Sequence, residues 1–161
     1  MKSYQSLLIG ASVALLSISS NAQLTPANGI DFKLGDDVQT VKSALKTDID
    51  PEPLENSIPN AAFNFNAGKS SLFLRTKGIH VNFNRKNVVE SIMFEAPFAG
   101  AVAGVRLGDS DKKVTGLKGK PIKTPYQFGA SQVYLYALDD SAYIRFDISE
   151  TEGVKSIWIQ K

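Results

Sequence analysis

The chain has no cysteine. A disulfide is therefore excluded, although the leader described below points to a compartment that would permit one. The lipid carried on a cleavage-site cysteine by bacterial lipoproteins is excluded as well. There is a single histidine, His80, so a zinc site would need an unusual ligand set. Beyond the first twenty-odd residues, no run is apolar enough to cross a bilayer, which takes about 20 residues. An excess of one charge is also missing. Eighteen Lys and Arg are interleaved with 16 Asp and Glu, and no basic stripe stands out, so nucleic acid is not an expected partner.

What is present begins with a leader. Lys2 is followed by an apolar run from Leu7 to Ile18, and Ser20-Asn21-Ala22 offers small residues for cleavage. This pattern predicts a signal peptide over residues 1–22 and a soluble periplasmic protein with no membrane insertion after cleavage. The remaining residues suffice for one packed core.

Residues 23–29 read as a flexible lead-in. Ile30-Asp-Phe-Lys-Leu34 alternates and is expected to pair as a short strand. Gly35-Asp36-Asp37 turns the chain, and Asp37 can cap a helix by accepting from a free backbone N–H. Val38, Val41 and Leu45 fall on one face of that helix. Pro51, Pro53 and Pro59 prevent its continuation and mark a loop. Phe63 and Phe65 alternate with asparagines as a candidate edge strand. Leu72 and Leu74 point one way, Phe73 and Arg75 the other. Ile79, Val81 and Phe83 share a face opposite His80, Asn82 and Asn84, and Ile92 and Phe94 extend it with Met93 outward.

After the connection from Ala96 to Ala101, a similar order returns. Val105 and Leu107 are expected to end a strand. Ser110 caps a second helix with Val114 and Leu117 as its apolar positions. Gly116 weakens that helix by about 1 kcal/mol relative to alanine. Gly119 and Pro121 stop it. Residues 122–131 read as a loop. Val133, Leu135 and Ala137 are expected to face inward, with Tyr134 and Tyr136 outward. Ile144, Phe146 and Ile148 face inward against Tyr143, Arg145 and Asp147. Ile157 and Ile159 close the set with Trp158 opposite.

Leu34-Gly35-Asp36 matches Leu107-Gly108-Asp109, and Val81-Asn82-Phe83 matches Ile144-Arg145-Phe146. Ser91 to Phe94 matches Ser156 to Ile159. Recurring order at a long period signals an internal repeat. The expected fold class is α+β: a tandem repeat of a short helix plus a three-stranded antiparallel sheet, helices on one face. The units are expected over residues 23–98 and 99–161.

Gly108-Asp-Ser-x-x-x-Val114, followed by Leu117-x-Gly119-x-Pro121, resembles the turn-and-helix motif of the SmpA/OmlA (BamE-like) superfamily. The first copy lacks the Gly-x-Pro stop. The tandem arrangement is similar to that of the beta-lactamase inhibitory protein. The resemblance implies a periplasmic or secreted protein-binding module.

No complete catalytic constellation is visible, and no enzyme activity, cofactor or metal is expected. His80 is a lone candidate base with no aligned nucleophile. Asp36, Asp37, Asp109 and Asp111 lack the oxygen spacing of a calcium loop and read as turn and cap residues. Asp48, Asp50, Glu52 and Glu55 form an acidic loop, either solvated or able to enter a basic cleft of a partner. The outward face is the candidate binding site: Phe73, Arg75, His80 and Met93 beside Tyr134, Tyr136, Tyr143, Arg145 and Trp158. Tyr, Trp and Arg carry much of the binding energy at protein interfaces. The expected partner is another protein: a toxin or hydrolase blocked by an immunity protein or, alternatively, an envelope assembly complex.

Overall fold

A computed structural model describes residues 30–54, 66–139 and 141–161. The expected signal peptide, the Phe63/Phe65 strand and Glu55 lie outside the described residues.

Among the described residues, two eight-residue α-helices, α1 (Val38–Leu45) and α2 (Asp111–Lys118), accompany eight strands. The strands are β1 (Glu52–Pro53), β2 (Ser70–Leu74), β3 (Ile79–Phe83) and β4 (Val89–Glu95), then β5 (Tyr126–Phe128), β6 (Ser131–Ala137), β7 (Tyr143–Ser149) and β8 (Gly153–Gln160). They form one antiparallel sheet in the order β1-β2-β3-β4-β8-β7-β6-β5. This corrects the expected fold class. The molecule is mainly β, a single eight-stranded sheet, and not an α+β tandem of helix-plus-three-strand units. Each helix spans only about two turns, too short to form a layer comparable with the sheet.

The turns before the helices show why the helices sit where they do. Asp37 Oδ1 accepts from Thr40 N at 2.8 Å, and Ser110 Oγ accepts from Lys113 N at 3.3 Å. Each cap satisfies a donor that the first helical turn would leave free. Gly35 (φ 93°) and Gly108 (φ 82°) take the left-handed conformation that glycine tolerates. Gly35 N donates to Val89 O, and Val89 N donates back to Asp36 O, at 2.9 and 2.8 Å. Gly108 N donates to Val154 O, and Val154 N to Asp109 O, at 2.8 and 2.9 Å. Both helices are thus pinned to the sheet by a reciprocal pair of backbone bonds.

Strand alternation builds the core. Leu72, Val81, Phe83, Ile92, Phe94, Ile144, Phe146, Ile157 and Ile159 are almost fully buried on the helix side. Burying such side chains contributes about 1.5–3 kcal/mol each. Val89 and Ile92 are three apart, as are Val154 and Ile157, which strict alternation would send to opposite faces. Register shifts at Asn82/Phe83 and at Asp147/Ile148 absorb the extra residue, so both valines join the core.

Several local expectations change. Residues 30–34 form no strand, although Ile30 and Phe32 are buried. Val105 makes only an isolated bridge to Val102. β1 and β5 arise where loops were expected. Both are edge strands, which tolerates the proline at position 53.

Candidate functional site

The cross-strand register lines up one residue from each of six strands. Phe73 pairs with His80, His80 with Met93, Met93 with Trp158, Trp158 with Arg145, and Arg145 with Leu135. Alternation puts this row on the face opposite the helices. Phe73 is exposed, while His80, Met93, Trp158 and Arg145 are half-buried. Tyr143 lies on the same face, opposite Gln160 and Ala137.

One end of the row is held by aromatic stacking. The Phe73 and His80 rings stack with centroids 5.0 Å apart, and the Arg75 guanidinium lies 5.3 Å from the Phe73 centroid. Burial strips water from His80 and lowers its pKa below the ordinary 6.5, opposed more weakly by the Glu95 carboxylate. The imidazole is therefore neutral at pH 7. Its Nε2 is buried and has no hydrogen-bond partner among the described residues.

At the other end, charge and ring contacts converge on Arg145. Its Nε donates to Asp147 Oδ1 at 2.6 Å and its Nη2 to Oδ2 at 3.0 Å. Ser156 Oγ donates to the same Oδ2 at 2.9 Å, and Trp158 Nε1 donates to Ser156 Oγ at 3.1 Å. The guanidinium lies 4.9 Å from the Phe128 ring centroid and 5.7 Å from that of Trp158. A bidentate Arg–carboxylate pair fixes the planar group more firmly than a single contact would. Every hydrogen bond in this chain constrains the next, so Trp158 is presented in a set orientation. Rings locked before binding lose less conformational freedom when a partner covers them.

Two predicted residues are placed elsewhere. Tyr134 pairs with Phe146 and Tyr136 with Ile144, so both tyrosines lie on the helix side and join the core. They are 8% and 5% exposed. Tyr134 Oη donates to Gln132 Oε1 at 3.2 Å, whereas the Tyr136 hydroxyl is buried without a partner. The inward expectation for Val133, Leu135 and Ala137 is corrected in turn: they lie on the helix-free face. The reason is compositional. Val-Tyr-Leu-Tyr-Ala is apolar at both parities, so alternation alone cannot choose a face, and the pairing with Ile144 and Phe146 decides it.

Phe128, Leu135 and Asp147 belong to the site but were not singled out from the sequence. Asp147 could have been found, because Arg145 and Asp147 are two apart on one strand and so share a face. Phe128 carried no such signal, since its strand is three residues long.

No family model matches the chain, and neither a curated protein nor a solved structure matches it.

Proposed function

We propose that this protein is an exported binding protein that acts by occlusion, as an immunity protein covering an envelope-directed toxin or hydrolase. The observation that carries the reading is the row Phe73–His80–Met93–Trp158–Arg145 on the helix-free face. A solvated sheet face ordinarily presents Thr, Lys, Glu and Ser, and groups of these sizes are kept where a partner can cover them. The acidic loop at Asp48 and Asp50 is the alternative contact, and Asp50 already pairs with Lys42 at 2.6 Å.

Cross-linking the mature protein in its own envelope extract tests the proposal. One species should be captured by the parent protein. Trp158→Ala should weaken its binding by at least about 2 kcal/mol, roughly 30-fold. Capture unaffected by Trp158→Ala and by Phe73→Ala rejects this face. The alternative role, an accessory of outer-membrane assembly, draws on the resemblance of Gly108 to Pro121. It requires a deletion strain with a leaky envelope, and normal permeability rejects it.

A further inference from the structure

The interleaving of charge fails in two stretches: residues 56–89 hold five Lys and Arg with no Asp or Glu, and a second such stretch combines the same imbalance with exposed apolar side chains. Residues 112–138 contain five lysines and no aspartate or glutamate. Four of the six large apolar side chains exposed among the described residues fall in the same stretch: Leu117, Ile122, Tyr126 and Phe128. The fold gathers them at one edge. β5 is the terminal strand of the sheet, and Ile122 N donates to Leu135 O, so residues 122–128 run along the outer side of β6.

Beside this edge is a cleft of about 440 Å³. Leu117, Ile122 and Leu138 supply its apolar walls, and Lys118 and Lys120 stand at it. Neither lysine forms an ion pair among the described residues. Tyr136 also lines the cleft, 5% exposed, and its hydroxyl finds no hydrogen-bond partner among the described residues. A buried hydroxyl without a partner is costly, and an incoming acceptor removes that cost. Two unpaired ammonium groups and one unpaired O–H donor call for a carboxylate.

We propose that the β5 edge and this cleft bind an extended acidic segment of another protein, which adds as a ninth strand and places a carboxylate beside Tyr136, Lys118 and Lys120. The terminal strand offers unpaired backbone groups, which another strand can satisfy. A lipid surface would leave those groups unpaired. A second copy of this chain would bring the same lysines against themselves, so the occupant must carry the opposite charge. Apolar residues alternating with the acidic ones would cover Tyr126 and Phe128. The carboxylate contacts at Tyr136, Lys118 and Lys120 lie on the helix side and do not depend on the helix-free row, which meets this edge through the packing of Phe128 on Arg145.

The test uses a fluorescein-labelled eight-residue peptide alternating glutamate and valine, followed by anisotropy and by amide hydrogen exchange. Saturable binding is expected, with slowed exchange at residues 126–128 and weakening as salt rises. Lys118→Glu with Lys120→Glu should weaken binding at least tenfold. Tyr136→Phe, which removes one oxygen, should weaken it at least threefold while leaving the melting temperature equal or higher. Phe73→Ala, on β2, should leave peptide affinity unchanged, which separates this edge from the row in the proposed function. Absence of binding, equal binding by the charge-reversed protein, or unchanged exchange in β5 overturns the proposal. So does binding to phosphatidylglycerol vesicles without binding to the peptide.

Discussion

The sheet can be divided at the β4–β8 seam, and the two sides solve the same packing problem with different side chains. On the first side, α1 buries Val41 and Leu45, over strands that supply Leu72 and Leu74. On the second, α2 buries only Val114, and the strand beneath supplies Tyr134 and Tyr136. Counted from the turn glycines, Leu45 corresponds to Lys118. The turns are bonded alike, yet one helix is an apolar wedge and the other a thin cover with a glycine at its centre. On the first side the core joins aliphatic side chains with Phe32, Phe83 and Phe94. On the second, phenol rings lie under a thin helix, and the Tyr136 hydroxyl is left idle among the described residues. The same contrast separates the sheet edges, with the short β1 bearing an acidic residue and β5 preceded by Lys120 and Lys123.

Substitutions can test this contrast. The largest effect is expected for Leu45→Ala, which should cost about 2–5 kcal/mol in urea unfolding. Lys118→Ala, at the corresponding place, should change stability by less than about 0.5 kcal/mol. Equal losses would mean that α2 bears as much of the core as α1. Gly153→Ala comes next. An added methyl there would lie 2.4 Å from Gly108 O, at φ 71°, so the turn before α2 must shift. The expected loss is about 1–3 kcal/mol, and an unchanged midpoint would show the turn to be less firmly docked than its bonds suggest.

Gly116→Ala should stabilise the protein by about 1 kcal/mol, since nothing lies within 4 Å of the added methyl. A loss would show that the thin helix is needed as it stands. The smallest effect concerns His80. Its folded pKa lies below the ordinary 6.5, so the unfolded chain binds its proton more readily. Stability from this group is therefore present above pH 6.5 and is lost as pH falls through the lowered folded value. His80→Gln should flatten the stability–pH profile in that window, and an identical slope in the variant would assign the dependence to other groups.

Much of the local structure was legible because single residues determined it. Gly35 and Gly108 marked the turns, and Asp37 and Ser110 marked the helix starts. Residues 79–83, 91–94, 143–148 and 156–159 alternate cleanly, so their faces followed from composition, whereas the bulges that bring Val89 and Val154 into the core did not. β6 was read on the wrong face because its two parities are equally apolar, and only its neighbour selects one. β1 and β5 were missed because two or three residues carry no period. The fold class failed for a related reason. Two helices were legible, but not how little they would cover against eight strands. Of the candidate face, six residues were placed by alternation, and Arg75 was recovered through its contact with Phe73. Tyr134 and Tyr136 were lost to the slip in β6.

β8 occupies a central place in the sheet, between β4 and β7, although it is the last of the eight strands in chain order. Until it is made, both neighbours present bare ladders of amides and carbonyls, backed by Ile92, Phe94, Ile144 and Phe146. Such edges recruit other chains. Closing the sheet therefore removes both bare ladders in one step: the final strand slots between two that precede it in the chain and leaves no central edge open to another molecule.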